Sequence, residues 1–282
     1  MTTPPAFEPS SSPPLVREPN RRRGYAIAAG AGVLATLLLA GLVYTIMGWV
    51  GGRDEPAPAA APAVEGPVAP EWASEQELSS APMLLFPNAV SFPHALTAET
   101  AGPPITLPPP GRVVGVRVPD SFPATPEGAV AQLAAMTQAG MLGGDPADYA
   151  RAHDSMTEAT DGPRGDGSFL AHQLTSFRKS AGLPARGPKP GMSITWTPAE
   201  ALVKGTVGDR FVVVCVLGEF TFDFKGQVVS GGMGDCQAMR RVQAADGTEQ
   251  WRIARAPHAA QAPSPWPGTA EAVAAGYRAI AR

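Results

Sequence analysis

The sequence predicts an α+β fold, an N-terminal transmembrane helix followed by a domain in which three helices pack on an antiparallel sheet. Three observations predict it. Residues 24–50, GYAIAAGAGVLATLLLAGLVYTIMGWV, hold no charged side chain. Three later segments each open on a capping residue and repeat apolar residues at helical spacing. Beyond them the apolar period shortens to two and β-branched and aromatic residues take over. Helices first and strands afterwards is the α+β order.

Residues 1–23 begin MTTPPAFEPSSSPPLVREPN, rich in Pro and Ser, with too little apolar surface to offset the entropy of ordering; they read as a disordered cytoplasmic tail. The stretch 24–50 is long enough as a helix to outspan the roughly 30 Å hydrocarbon core. A cleavable signal has an apolar region of only about 7 to 15 residues, so an anchor fits better, although Val50-Gly51-Gly52 offers a weak cleavage site. Arg17, Arg21, Arg22 and Arg23 precede it, which keeps the N-terminus inside and sends the rest outward to the cell surface. Tyr25, Tyr44 and Trp49 mark its two edges. Ala28, Gly32, Thr36 and Ala40 recur every fourth residue, a ridge of small side chains suited to close packing with another membrane helix and so to oligomerisation.

Residues 51–71 alternate Pro with Ala and read as a semi-rigid spacer reaching about 60 Å at about 3.1 Å per residue. Residues 72–123 hold isolated apolar pieces between prolines and read as extended segments covering or edging the folded part at 124–282. The first helix opens at Thr125-Pro126-Glu127, with Thr125 as cap and Pro126 at the first helical position, and Gly140 can end it; Val130, Leu133, Ala134, Thr137 and Met141 share a face. The second is capped by Asp145 before Pro146 and turns Tyr149, Ala152, His153 and Met156 to one side. The third starts near Ser168, aligns Leu170, Leu174, Phe177 and Ala181, and stops at Gly182-Leu183-Pro184.

SITWT, EALVKGTV, RFVVVCVLGEFTFDF, CQAMRRVQ and EQWRIAR then read as a meander of strands, separated in part by turn-like VGD, KG and ADG. Both faces of RFVVVCVL are apolar, as expected of a strand covered on both sides. One cover is the helices; the other is the upstream proline-rich segment or a neighbouring subunit. Gly218 marks a bulge, past which Thr221 and Asp223 make one face wet. SGGMGDC, residues 230–236, lacks the Lys-Ser or Lys-Thr of a phosphate loop and reads as a loop between strands. The C-terminal PGTAEAVAAGYRAIAR reads as a capped helix with Val273, Tyr277 and Ile280 on one side.

Charge and chemistry narrow the function. Four of the 22 Lys+Arg and two of the 25 Asp+Glu precede the apolar stretch, leaving 18 against 23 and a formal charge of −5 beyond it. A nucleic-acid grip would be basic and clustered. Arg178-Lys179 and Arg240-Arg241 come nearest and read as solvated faces, so no direct nucleic-acid contact is expected. Cys215 and Cys236, both placed outside, are expected to pair, closing a loop of about 22 residues and stabilising by roughly 3 kcal/mol in the chain-entropy treatment. Of the four histidines none shows metal-site or triad spacing, so neither metal nor cofactor is expected. Tyr149, His153, Asp154 and His172 are the one set that would suit acid–base chemistry if they met in a cup between helices and sheet; ordinary core and surface roles are the simpler reading.

FPATPEGAVAQLAAM, residues 122–136, resembles the helix start GF-x-x-T-P-E-G-A of membrane proteins from actinobacterial integrative conjugative elements, with Ser121 in place of the glycine before the Phe. The layout of tail, span, spacer, helices and sheet also resembles that of bitopic proteins whose outer domain has the nuclear-transport-factor-2-like fold, a cystatin-like roll with a curved sheet. Type IV secretion assembly factors share it, as do membrane proteins of actinobacterial lipid-uptake loci. The resemblance implies a non-enzymatic, membrane-anchored scaffold of a conjugation or secretion machine, with the lipid bilayer, further copies of itself and other machine proteins as partners. Its alternatives are an accessory protein of a lipid or solute uptake system and, third, a roll-fold isomerase or dehydratase.

Overall fold

The computed structural model describes residues 70–158, 165–244 and 246–281. The apolar stretch 24–50, its small-residue ridge at Ala28, Gly32, Thr36 and Ala40, and most of the spacer lie outside the described residues. Among those described, no helix is long and apolar enough to cross a membrane.

The fold is α+β. Helix α1 spans Glu75–Ser80, β1 Ile105–Thr106, α2 Pro126–Met141, α3 Pro146–Met156 and α4 Phe169–Ser180. Strands β2 (Met192–Val207), β3 (Phe211–Phe224), β4 (Gln227–Gln243) and β5 (Glu249–Ile253) follow, then α5 (Ala270–Ala274) and β6 (Arg278–Ala281). The sheet order is β1-β6-β2-β3-β4-β5. Local chemistry sets the helix starts: the side chains of Thr125, Asp145 and Ser168 accept from the backbone N–H groups of Gly128, Ala147 and Ala171. Each offsets one of the unpaired donors of a first turn.

Strand β3 is buried from Phe211 to Gly218 because both faces are covered by the chain itself. Val212, Val214 and Val216 meet the helices, in one core with Val130, Leu133, Tyr149, Leu170 and Leu174. Phe211 and Val213 meet Leu78 of α1, which is fully buried, together with Ala238 and Ala254. Cys215 and Leu217 meet Ala272 and Tyr277 from the C-terminal segment. The upstream segment and the tail of the same chain therefore supply the second cover. Lys204 Nζ ties α1 to the sheet by donating to the carbonyls of Ser79 (3.3 Å) and Ala81 (2.6 Å).

Several expectations are corrected. The sheet is mixed, because β1 lies parallel to β6. SITWT and EALVKGTV form one strand, β2, whose register against β3 shifts between Pro198 and Glu200 and between Val203 and Gly205. The first shift faces Gly218, so the bulge belongs to β2; a Cβ at 218 would stand 2.4 Å from the Trp196 ring. Residues 72–123 include α1 as well as extended pieces. The C-terminal helix ends at Ala274; Gly276, at φ 89, breaks it, and Ile280 lies in β6, which completes the edge of β2 at Glu200 and Ala201.

SGGMGDC is not a loop. It runs through the middle of β4, and Gly232 and Gly234 leave room for another backbone. A Cβ at 232 would sit 1.9 Å from the Pro265 carbonyl oxygen, and one at 234 would sit 2.3 Å from that of Pro263. The rigid PSPWP segment thus lies directly on the strand, with Gly234 N donating to Ser264 Oγ at 3.0 Å. The arginine pairs are not simple solvated faces either. Arg178 is fully buried and donates to the carbonyls of Pro184 (2.7 Å) and Gly144 (3.0 Å), and Arg240 holds Glu158 (2.9 Å) and Glu75.

Candidate functional site

The best-organised polar cluster under the helices centres on Asp235, a buried carboxyl on the helix-facing side of β4. Tyr149 of α3 donates its hydroxyl to Asp235 Oδ2 at 2.7 Å, and Thr137 of α2 donates to the same oxygen at 2.9 Å. Gln237, two residues along β4, donates Nε2 to Oδ1 at 2.8 Å. One carboxyl thereby joins two helices to the sheet. His153, four residues after Tyr149 on α3, has its Nδ1 3.3 Å from Thr157 Oγ1 and its ring centroid 6.3 Å from that of Tyr149.

The candidates from the sequence divide here. Tyr149 and His153 are both buried and both belong to the cluster. Asp154 stays at the surface, with its Oδ1 accepting from Gly165 N at 2.7 Å and 4.0 Å from His153 Nδ1. His172 is exposed on α4 and takes no part. Tyr149 is fully buried with its hydroxyl taken by Asp235, and elsewhere in the same core Phe177 packs edge-on against Phe220 and Phe222 at centroid spacings of 5.3 Å. A cleft of about 210 Å³ opens at the side, where β4 continues past the end of β5; His153, Asp235, Gln237 and His258 line it.

The environment fixes protonation. Burial pushes the Tyr149 phenol well above its ordinary value, and the Asp235 charge and hydrogen bond push the same way, so it donates and does not ionise. Burial lowers the His153 pKa more than Asp235 and Asp154 raise it, so the imidazole is held neutral near pH 7. Asp120, at the β5 side of the sheet, is the contrast: burial raises its carboxyl, but Arg252 at 2.9 Å and Arg112 at 2.8 Å outweigh this and hold it below the usual range. It acts as a rivet between β5 and the 112–120 loop.

Chemically, the Tyr149 and Thr137 hydroxyls and the Gln237 carboxamide are committed to the Asp235 carboxyl, and the phenol is held protonated. No group of three or more His, Cys, Asp or Glu among the described residues is placed to bind a metal. Cys215 and Cys236 stand directly opposite each other in β3 and β4 and form a disulfide with a Cα–Cα distance of 4.0 Å. Sequence reasoning missed Asp235, Thr137 and Gln237 as a unit. The available signal was an acidic residue inside a stretch whose glycines suggested a turn; its burial depends on β3–β4 register. No family model, curated protein or solved structure matches the chain.

Proposed function

We propose that the chain is a membrane-anchored scaffold whose α+β domain faces out of the cell and works by oligomerisation and by recruiting other proteins of a conjugation or type IV secretion-like DNA-transfer machine. The observation that carries the reading is the 27-residue uncharged stretch behind four arginines, ahead of a domain closed by a disulfide. Three features support a presenting role over a catalytic one. The Asp235 carboxyl and the Tyr149 phenol bond each other and, with Thr137, hold α2 and α3 to β4. Charge beyond the stretch is −5, unfavourable for gripping nucleic acid directly. The TPEGA helix start at 125–129 supports the assignment to DNA transfer.

The test is in-cell crosslinking followed by extraction in mild detergent and identification of the captured proteins by mass. Capture of a transfer ATPase or channel subunit together with a second copy of the chain is the expected result. Capture of a permease with its solute-binding protein, and of no transfer component, would overturn it.

A further inference from the structure

The side cleft has a composition the scaffold role does not use. It opens where Gly234 to Gln237 of β4 run past the end of β5, and Phe169, the first residue of α4, stands on its wall with 41% of its surface exposed. An aromatic ring left that open beside a polar cleft is available to a ligand. Asp235 forms part of the wall, and the groups that hydrogen-bond its carboxyl are two hydroxyls and one carboxamide, all neutral. No lysine or arginine lines the cleft among the described residues.

These features select one charge. An anion would approach Asp235 with no Lys or Arg among the described residues of the wall to receive it, at a His153 held neutral by burial. A cation meets a carboxyl with neutral neighbours and an exposed phenyl ring on the same wall, whose π face stabilises ammonium and guanidinium groups. A metal ion is disfavoured because no three ligating side chains converge among the described residues. The volume, about 210 Å³, lies under the about 300 Å³ at which drug-sized pockets begin, and so suits a single headgroup or side chain.

We propose that this cleft binds an organic cation, an alkylammonium or alkylguanidinium group, with Asp235 as the counter-charge and Phe169 as the aromatic face. The group comes either from a free amine or from a Lys or Arg side chain of a partner. The inference rests on the cleft alone and stands independently of membrane attachment.

Calorimetric titration of the full-length chain with butylguanidinium, butylammonium and butyrate tests it. Both cations are expected to saturate and butyrate to give no binding heat. Phe169→Ala should weaken both cations about 2- to 5-fold, the effect of losing a cation–π contact of about 0.5–1 kcal/mol. Asp235→Asn should abolish binding; because Asp235 also holds the helices, the exposed Phe169 variant keeps the test decisive. A short peptide with one central arginine binding more tightly than butylguanidinium identifies a protein side chain as the source, and equal affinity identifies a free amine. Equal binding of butyrate, or cation affinity unchanged in Phe169→Ala, would overturn the proposal.

Discussion

Tyr149→Phe deletes one oxygen and nothing else, and it isolates what the Asp235 cluster contributes to the fold. The lost bond is short, 2.7 Å, fully buried and made to a carboxyl, and Asp235 Oδ2 then keeps only Thr137. Hydrogen bonds to charged groups contribute about 1.5–3 kcal/mol, and here a buried acceptor is also left short of a donor, so the expected loss is about 2–3 kcal/mol. Phenylalanine fills the same space, so no cavity contribution enters. Urea unfolding of the full-length chain, followed by the fluorescence of Trp196 and Trp251, both buried in the helix-facing core, reads the midpoint shift. Thr137→Val should cost a similar amount, and the double variant less than the sum, since both act on one oxygen. A loss under about 0.5 kcal/mol in Tyr149→Phe, or strict additivity with Thr137→Val, would refute the idea that this carboxyl clasps the two helices.

Gly232→Ala should destabilise by well over about 1 kcal/mol, because its Cβ meets the backbone oxygen of Pro265, which cannot rotate away; Gly208→Ala, with φ 56 but open space, separates strain from collision in the same melt. Joint replacement of Cys215 and Cys236 by Ala should lower stability by about 3 kcal/mol, measured against the unreduced chain, with the native fold retained by circular dichroism. For His153 the folded pKa lies under the ordinary 6.5, so the unfolded chain takes the proton first; stability is intact above pH 6.5 and falls as pH drops toward the lower folded value. A plot of unfolding midpoint against pH should therefore bend just below 6.5, separately from the later acid loss of Asp120 and Asp145, whose carboxyls are lowered from 3.8. In His153→Gln the first bend should vanish.

What was legible in the sequence was what residues settle with their near neighbours. Thr125-Pro126, Asp145-Pro146 and the Ser168 cap state their helix starts within four residues, and the alternation through β3 states a strand buried on both faces. What escaped depends on contacts far along the chain. The spacing of Val273, Tyr277 and Ile280 satisfies a helix, yet the tail is needed as a strand where β2 would otherwise present an open edge. Gly231, Gly232 and Gly234 suggest a turn when read locally, whereas two of them are small because the backbone of residues 263–265 lies on them. The Asp235 cluster joins residues 86 to 98 positions apart, and Arg178 looks like a surface charge until the loops at 143–144 and 184–187 fold around it. Tyr149 and His153 were identifiable as one helix face, but not the acid they serve.

The most direct test of an anchored, outward-facing domain uses the disulfide as its reporter. Intact cells are treated with a membrane-impermeant phosphine and then with a membrane-impermeant maleimide, and the protein is isolated and its mass measured. The account predicts labelling at Cys236 only after the reductant, on a chain that still carries residues 24–50. A label that appears only after lysis, or a mature chain that begins beyond Gly52, would contradict it.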